Sequence, residues 1–288
     1  MKREIKLIAF DLDGTVLNHG KHIADVTLAA FTKARAHGCV LAAATGRGAD
    51  MIPTKIMNHP AIDYIICANG AVISERKSRK MLLVREIDRD IAVDIIRSAR
   101  RYGAGMEIFF ADKSYYEWRC LGMMMRFNHS RMKEQNSGAW REMNGFLEFV
   151  REVNLIRSAK ALVKRRRGAV VKVAAIFKNP GDFECALHDY AADGRVEAAS
   201  TMGMDIEITA KDVTKGHAIA MLCNILNIEK ETVIAFGDSG NDLSMREYVD
   251  TFVAMGNAEE AVKAVADRIA PSVSENGVAR MLHEIFGW

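Results

Sequence analysis

The stretch Ile5-Lys6-Leu7-Ile8-Ala9-Phe10-Asp11-Leu12-Asp13-Gly14-Thr15 sets a short, nearly unbroken apolar run against two carboxylates and a glycine. An apolar run of this length, without alternation, is what a strand needs when both faces of a parallel sheet are covered. Its abrupt end at Asp11 puts polar groups where such a strand leaves the sheet. The same pattern returns along the chain. Residues 39–44 run into Thr45-Gly46-Arg47, 64–68 into Asn69-Gly70, 232–236 into Gly237-Asp238, and 251–255 into Gly256-Asn257.

Helical periods separate these runs. Residues 25–37 stop at Gly38, the position just past a helix end that favours glycine. Residues 215–226 carry Ile219, Leu222, Cys223 and Leu226 on one face. Residues 242–249, 258–266 and 277–286 read as further helices, and 268–270 as a last edge strand. Strands alternating with helices predict an α/β fold, a Rossmann-like doubly wound parallel sheet.

The middle of the chain breaks this rhythm. Residues 87–101 read as a helix, 107–118 as a hairpin, 120–168 as charged and helical, 170–177 as a strand and 182–192 as a helix. The expected organisation is a core of residues 1–82 and 193–288 with an inserted α+β cap at 83–192. Charge supports a separate module: residues 83–192 hold about 20 Lys and Arg against about 14 Asp and Glu, roughly +6, while the whole chain is only +3. An anionic ligand or an arginine-rich solvated face accounts for that excess equally well.

Composition excludes several classes. Five scattered cysteines with no C-x-x-C pair fit reduced thiols, not a disulfide framework or a zinc site. No run approaches the 18 apolar residues of a membrane span, and the N-terminal apolar run is too short for a signal sequence. A soluble, cytoplasmic protein is expected. The eight histidines show no metal-binding spacing, and G-x-x-x-x-G-K-[ST] is absent. The basic run Lys164-Arg165-Arg166-Arg167 reads as a solvated face, and neither nucleic acid nor membrane is expected as a partner. Met123, Met124 and Met125, with Tyr115, Tyr116 and Trp118, read as packing within the insertion.

In an open α/β sheet, ligands bind beyond the carboxyl ends of the strands. Those ends supply Asp11 with Asp13, then Thr45, Asn69, and Asp238 with Asn241 and Asp242. Carboxylates gathered this closely raise one another's pKa unless a cation intervenes. An all-oxygen donor set favours Mg2+. Asp11 suits a nucleophile towards phosphorus that also ligates the metal, and Asp13 suits an acid and base. A lysine in the first turn of a helix, as at Lys215, opposes the helix dipole and by itself reads as solvated.

D-L-D-G-T-V at 11–16, A-T-G-R at 44–47, T-K-G at 214–216 and G-D-S-G-N-D at 237–242 resemble, in order, the four motifs of the haloacid dehalogenase superfamily. The tail M-G-N-A at 255–258, E-N-G-V-A at 275–279 and the large insertion resemble its Cof-type phosphatases. The resemblance covers residues 4–82 and 193–288. It implies a phosphate monoester hydrolase that forms an aspartyl phosphate on Asp11, with Asp13 as acid and base. It further implies Thr45, Gly46, Lys215 and Asn241 on the phosphoryl group, and Arg47 on the substrate or on a cap carboxylate. The metal site would draw on Asp11, the Asp13 backbone carbonyl, Asp238 and Asp242, with Asp242 orienting the others. The substrate would be a small phosphate ester, a sugar phosphate or a cofactor phosphate, selected by the cap. A phosphomutase, or a sugar-phosphate phosphatase with a single substrate, remains an alternative. So does a signalling module in which phospho-Asp11 persists, although a base at Asp13 argues for a short-lived acyl phosphate.

Overall fold

The computed structural model describes residues 4–18, 22–123, 150, 153–200 and 203–288. The chain divides into two compact units: residues 1–47, 51–85 and 212–288, and residues 48–50 and 86–211.

The first unit is built on an eight-stranded sheet. With strands numbered along the whole chain, β1 (Leu7–Phe10) is buried throughout and lies between β2 (Val40–Ala44) and β12 (Val233–Gly237), both parallel to it. β3 (Tyr64–Cys67) follows β2, while β13 (Thr251–Ala254) and the short β14 (Arg268–Ile269) extend the other side, all parallel. Antiparallel β4 (Val72–Glu75) and β5 (Met81–Val84) complete the edge, giving the order β14-β13-β12-β1-β2-β3-β4-β5. The helices of this unit are α1 (Asp25–Ala36), α2 (Thr54–Asn58), α6 (Lys215–Leu226), α7 (Glu260–Val265) and α8 (Gly277–Phe286). Phe10 stacks on Phe31 of α1, with ring centroids 4.5 Å apart. The continuous apolar runs are thus the interior of a doubly wound sheet.

The second unit carries a six-stranded sheet in the order β10-β11-β9-β6-β7-β8. Its strands are β6 (Gly105–Phe110), β7 (Ser114–Glu117), β8 (Asn154–Ile156), β9 (Val170–Ile176), β10 (Val196–Ala199) and β11 (Asp205–Ala210). All pairs are antiparallel except β7 with β8. Helices α3 (Arg89–Arg101), α4 (Ala159–Arg165) and α5 (Pro180–Ala192) share a core with alternate residues of the sheet. Asp88 caps α3 by accepting from the amides of Asp90 and Ile91, and Ala92, Val93, Ile95, Ile96 and Ala99 form its buried stripe. The other set of alternating positions includes Glu107 and Ala174 of adjacent strands, with Glu207 beyond, and Phe109 beside Lys172. There Lys172, almost fully buried, pairs with Glu207 and lies 4.1 Å from the centre of the Phe109 ring.

Three details differ from the sequence reading. The cap boundary expected at 192 falls inside the second unit, because β10 and β11 pair on to β9 and carry that unit to residue 211. The antiparallel β4–β5 hairpin has no counterpart among the expected elements. The segment expected as a helix at 242–249 is a 3-10 helix, Gly240–Tyr248. Much of the 120–168 region, including Met124 and Met125, lies outside the described residues. Within that region Met123 is buried, whereas Trp118 of the same expected packing group is 60% exposed. In the basic run, Arg166 pairs with Asp112 and lies over Phe110, so it is held rather than merely solvated.

Candidate active site

The chain leaves β1 towards β2 on one side and meets β12 on the other, which creates the crevice where doubly wound sheets bind ligands. Asp11 is the first residue past β1, and its amide donates to the Phe236 carbonyl at 2.9 Å. Thr45, just past β2, donates its amide to Ile66, and Asn69, past β3, donates its own to Thr45. Four adjacent strand ends therefore deliver Asp11, Thr45, Asn69 and Asp238 through backbone ladders.

The loop after Asp11 turns at Gly14, whose φ is +83°. A Cβ there would lie 2.2 Å from the Asp238 carboxylate, so glycine is required both by conformation and by space. Thr15 Oγ1 donates to Asp238 Oδ1 at 2.9 Å. Asn257, in the loop after β13, donates to the Gly14 carbonyl at 2.8 Å and accepts from the Val273 amide. Thr15 and Asn257 are site residues that sequence reasoning did not assign. Their signal was present, since each lies inside a quoted motif.

Lys215 opens α6, which Thr214 caps by accepting from the His217 amide at 3.1 Å. The next residue, Gly216, lies so near the Gly240–Tyr248 segment that a Cβ would stand 2.0 Å from the Ser244 carbonyl oxygen. That close approach brings Lys215 Nζ to 2.7 Å from Asp11 Oδ1 and 2.6 Å from Asp242 Oδ1. Lys215 is thus 1% exposed, not solvated. Asp242 Oδ2 accepts from the amides of Asp238 and Ser239 at 2.9 and 3.1 Å, and the Ser239 bond, returned by the Asp242 amide to the Ser239 side chain, forms the reciprocal box that starts the Gly240–Tyr248 helix.

The electrostatics follow from burial. Desolvation opposes the charge on Lys215, but Asp11 and Asp242 outweigh it and lift its pKa above the usual lysine value. Asp11 is nonetheless raised well above the ordinary aspartate range, first by burial, with Asp242 and Asp238 adding to it and Lys215 working the other way. Asp238 is pushed up to about 7 by burial and by Asp242. One ammonium is shared between two carboxylates with a third beside them, so the lysine is over-supplied with negative charge and the acids are under-compensated.

Asp11, Asp238 and Asp242 each offer an oxygen within 4.8 Å of the others. Three carboxylates facing one ammonium leave an excess of two negative charges, which a divalent cation offsets. The all-oxygen set suits a hard ion such as Mg2+. Asp11 and Asp238 retain oxygens for it, whereas both Asp242 oxygens are taken by Lys215 and the two amides. Asp242 is thus held from both sides.

The remaining expected residues are near these groups. Thr45 is buried, and its Oγ1 accepts from the Arg47 amide at 3.2 Å, which leaves its hydroxyl proton to donate. Gly46 lies between them, and Asn241 donates to Asn69 Oδ1 at 3.1 Å. Asp13 is set apart from the acidic cluster: its carboxylate is engaged by Arg47 through both oxygens. Arg47 thus pairs with a residue two places from Asp11, a partner the sequence reading did not foresee.

A model of the haloacid dehalogenase-like hydrolases matches residues 8–282, a span holding every site residue above. The chain belongs to this family. The haloacid dehalogenase-like hydrolases similar to it include phosphatase YwpJ of Bacillus subtilis (strain 168), 27% identical over 291 residues that cover 98% of this chain and 100% of that protein. The 5-amino-6-(5-phospho-D-ribitylamino)uracil phosphatase YitU of the same strain is 28% identical, with 99% of each chain covered. A solved haloacid dehalogenase-like hydrolase from B. subtilis superposes with a TM-score of 0.85 at 27% identity, over 96% of this chain and 99% of that one. This haloacid dehalogenase-like hydrolase is a phosphatase, and the resemblance to the Cof-type members holds. Among the described residues no helix is long and apolar enough to cross a membrane.

Proposed function

We propose that the protein hydrolyses phosphate monoesters of small metabolites, sugar phosphates or cofactor phosphates, in two steps through an aspartyl phosphate on Asp11. The observation that carries this reading is the Asp11 carboxylate at the end of the central strand, held at 2.7 Å by a buried lysine and flanked by Asp238. In the first step an Asp11 oxygen attacks phosphorus, the bond to the alcohol oxygen breaks, and Asp13 gives that oxygen a proton. In the second, water attacks phosphorus, Asp13 takes the water's proton, and Asp11 departs as a carboxylate with release of phosphate.

Lys215, the Thr45 hydroxyl, the Gly46 amide and the Asn241 side chain would hold the phosphoryl oxygens, the positioning and charge neutralisation on which phosphoryl transfer depends. Asp242 fixes Lys215. Mg2+ would be held by Asp11, Asp238 and the Asp13 backbone carbonyl, and when bound it supplies positive charge to the phosphoryl oxygens. The second unit would select the leaving group. The named activity of YitU, on a phosphorylated ribitylamino-uracil, supports including cofactor-related phosphates among the substrates.

The test is a screen of phosphate release across sugar phosphates, nucleotides and cofactor phosphates, with and without Mg2+. Turnover of a few small esters that stops in excess chelator and returns with Mg2+, but poorly with Ca2+, is expected. Full activity in excess chelator would contradict the metal assignment. Transfer between hexose positions without net phosphate release would instead identify a mutase.

A further inference from the structure

The Asp13–Arg47 pair has a geometry that the expected substrate-binding role of Arg47 does not explain. Arg47 Nε donates to Asp13 Oδ2 at 2.7 Å and Nη2 to Oδ1 at 2.5 Å, the two-point fork in which guanidinium and carboxylate fix each other's plane. The third guanidinium nitrogen, Nη1, donates to the Met51 carbonyl at 3.1 Å. The Arg47 backbone is also tied at both ends, its amide to Thr45 Oγ1 at 3.2 Å and its carbonyl to the Ala68 amide at 2.9 Å. Arg47 has 16% of its side chain exposed and Asp13 53%. The arginine is therefore the anchored member and the aspartate the one being held.

We propose, resting on the two-step reading above, that Arg47 is a positioning residue which holds Asp13 as the base for breaking down the Asp11 phosphate. The fork fixes both the plane and the place of the Asp13 carboxylate. The second step needs its proton acceptor held in one place beside the incoming water. Water oxygen bonds to phosphorus, its proton passes to an Asp13 oxygen, the phosphorus–Asp11 bond breaks, and its electron pair returns to Asp11. An exposed aspartate without the fork would spread over several rotamers, and misplacement by about 1 Å can cost about 10²-fold in rate.

The two roles of Arg47 separate experimentally. With 4-nitrophenyl phosphate, whose leaving group needs little protonation, the first step proceeds without help from Asp13 and the second is isolated. Wild type, Arg47→Ala, Arg47→Lys, Asp13→Asn and the Arg47→Ala/Asp13→Asn double variant are acid-quenched during turnover. Alkali-labile phosphoryl label on the enzyme is then counted.

For Arg47→Ala the expected result is a kcat lower by about 10–100-fold, a KM within about twofold, and a larger fraction of labelled enzyme than in wild type. Arg47→Lys, which keeps the charge but loses the fork, should also accumulate label. The double variant should be no slower than Asp13→Asn alone, because both act through one group. A raised KM with unchanged kcat and no added label would overturn the proposal and return Arg47 to substrate binding. Additive losses in the double variant would overturn it as well. Absence of label from every protein, Asp13→Asn included, while turnover persists would instead remove the aspartyl phosphate itself.

Discussion

Asp11 and Asp238 differ from most aspartates in having too little positive charge nearby for their burial, and this is what makes their chemistry testable one side chain at a time. Asp11→Asn keeps the size and shape of the carboxylate while removing its nucleophilicity. The expected outcome is loss of turnover with an unchanged or raised thermal midpoint, since a buried acid that is costly to ionise becomes neutral. Retained turnover, measured as phosphate release, would contradict the nucleophile assignment. At this scale the meeting of Asp11, Asp238 and Asp242 was legible, because each lies just past an apolar run that locates a strand end, whereas Lys215 by itself read as solvated and only the ordered motifs pointed to it. The Asp13–Arg47 fork was not legible. It joins residues 34 positions apart through the paths of two loops, and loop paths leave no periodic trace in sequence.

The approach of α6 to the Gly240–Tyr248 helix is set by one missing side chain. Replacing Gly216 with Ala would put a carbon 2.0 Å from a backbone oxygen that has no rotamer to yield. The two segments must separate, and the contact from Lys215 to Asp242 lengthens with them. A loss of about 1–3 kcal/mol is expected for such overpacking, read as a lower denaturant midpoint, together with a fall in kcat larger than any change in KM. An unchanged midpoint and rate would show that the close packing is dispensable. The elements that sequence patterning missed have two causes. β10 and β11 carry charged residues among apolar ones, such as Glu197 and Glu207, whereas β5 is a four-residue apolar run, Met81–Val84, partly exposed at the sheet edge and too short to stand out. Antiparallel strands with one solvated or polar face read as alternation, a weaker signal over four to six residues.

Across the whole molecule, buried charge also lies away from the active site. Burial pushes Glu107 in β6 up to about 7, against the pull of Lys172 and the Cys120 thiol that donates to it. Its folded-state pKa stands above its unfolded value, so the native state binds the extra proton. This group's contribution to stability is therefore fully present below about pH 4.5 and is lost as pH rises through about 7. At about 1.4 kcal/mol per tenfold change in ionisation, the loss is at most about 3.5 kcal/mol. Thermal midpoints of wild type and Glu107→Gln, measured from pH 4.5 to 8, should diverge in favour of the glutamine variant through this window and then run parallel. A constant difference would refute the assignment. Differencing the two proteins cancels the titration of Asp238, which falls in the same range.

The place of β1 between β2 and β12 bears on how the chain is made. The strand that precedes Asp11 leaves the ribosome well ahead of its β12 neighbour, yet one of its hydrogen-bonding edges belongs to residues 233–237. At about 5–20 residues per second that edge waits roughly 10–45 seconds for its neighbour. During that interval an entirely apolar strand stands open to pairing with other chains. A nascent chain halted between residues 216 and 237 holds Asp11 and Lys215 without Asp238 or Asp242, so the buried acidic cluster closes only when the strand that pairs with β1 has been made.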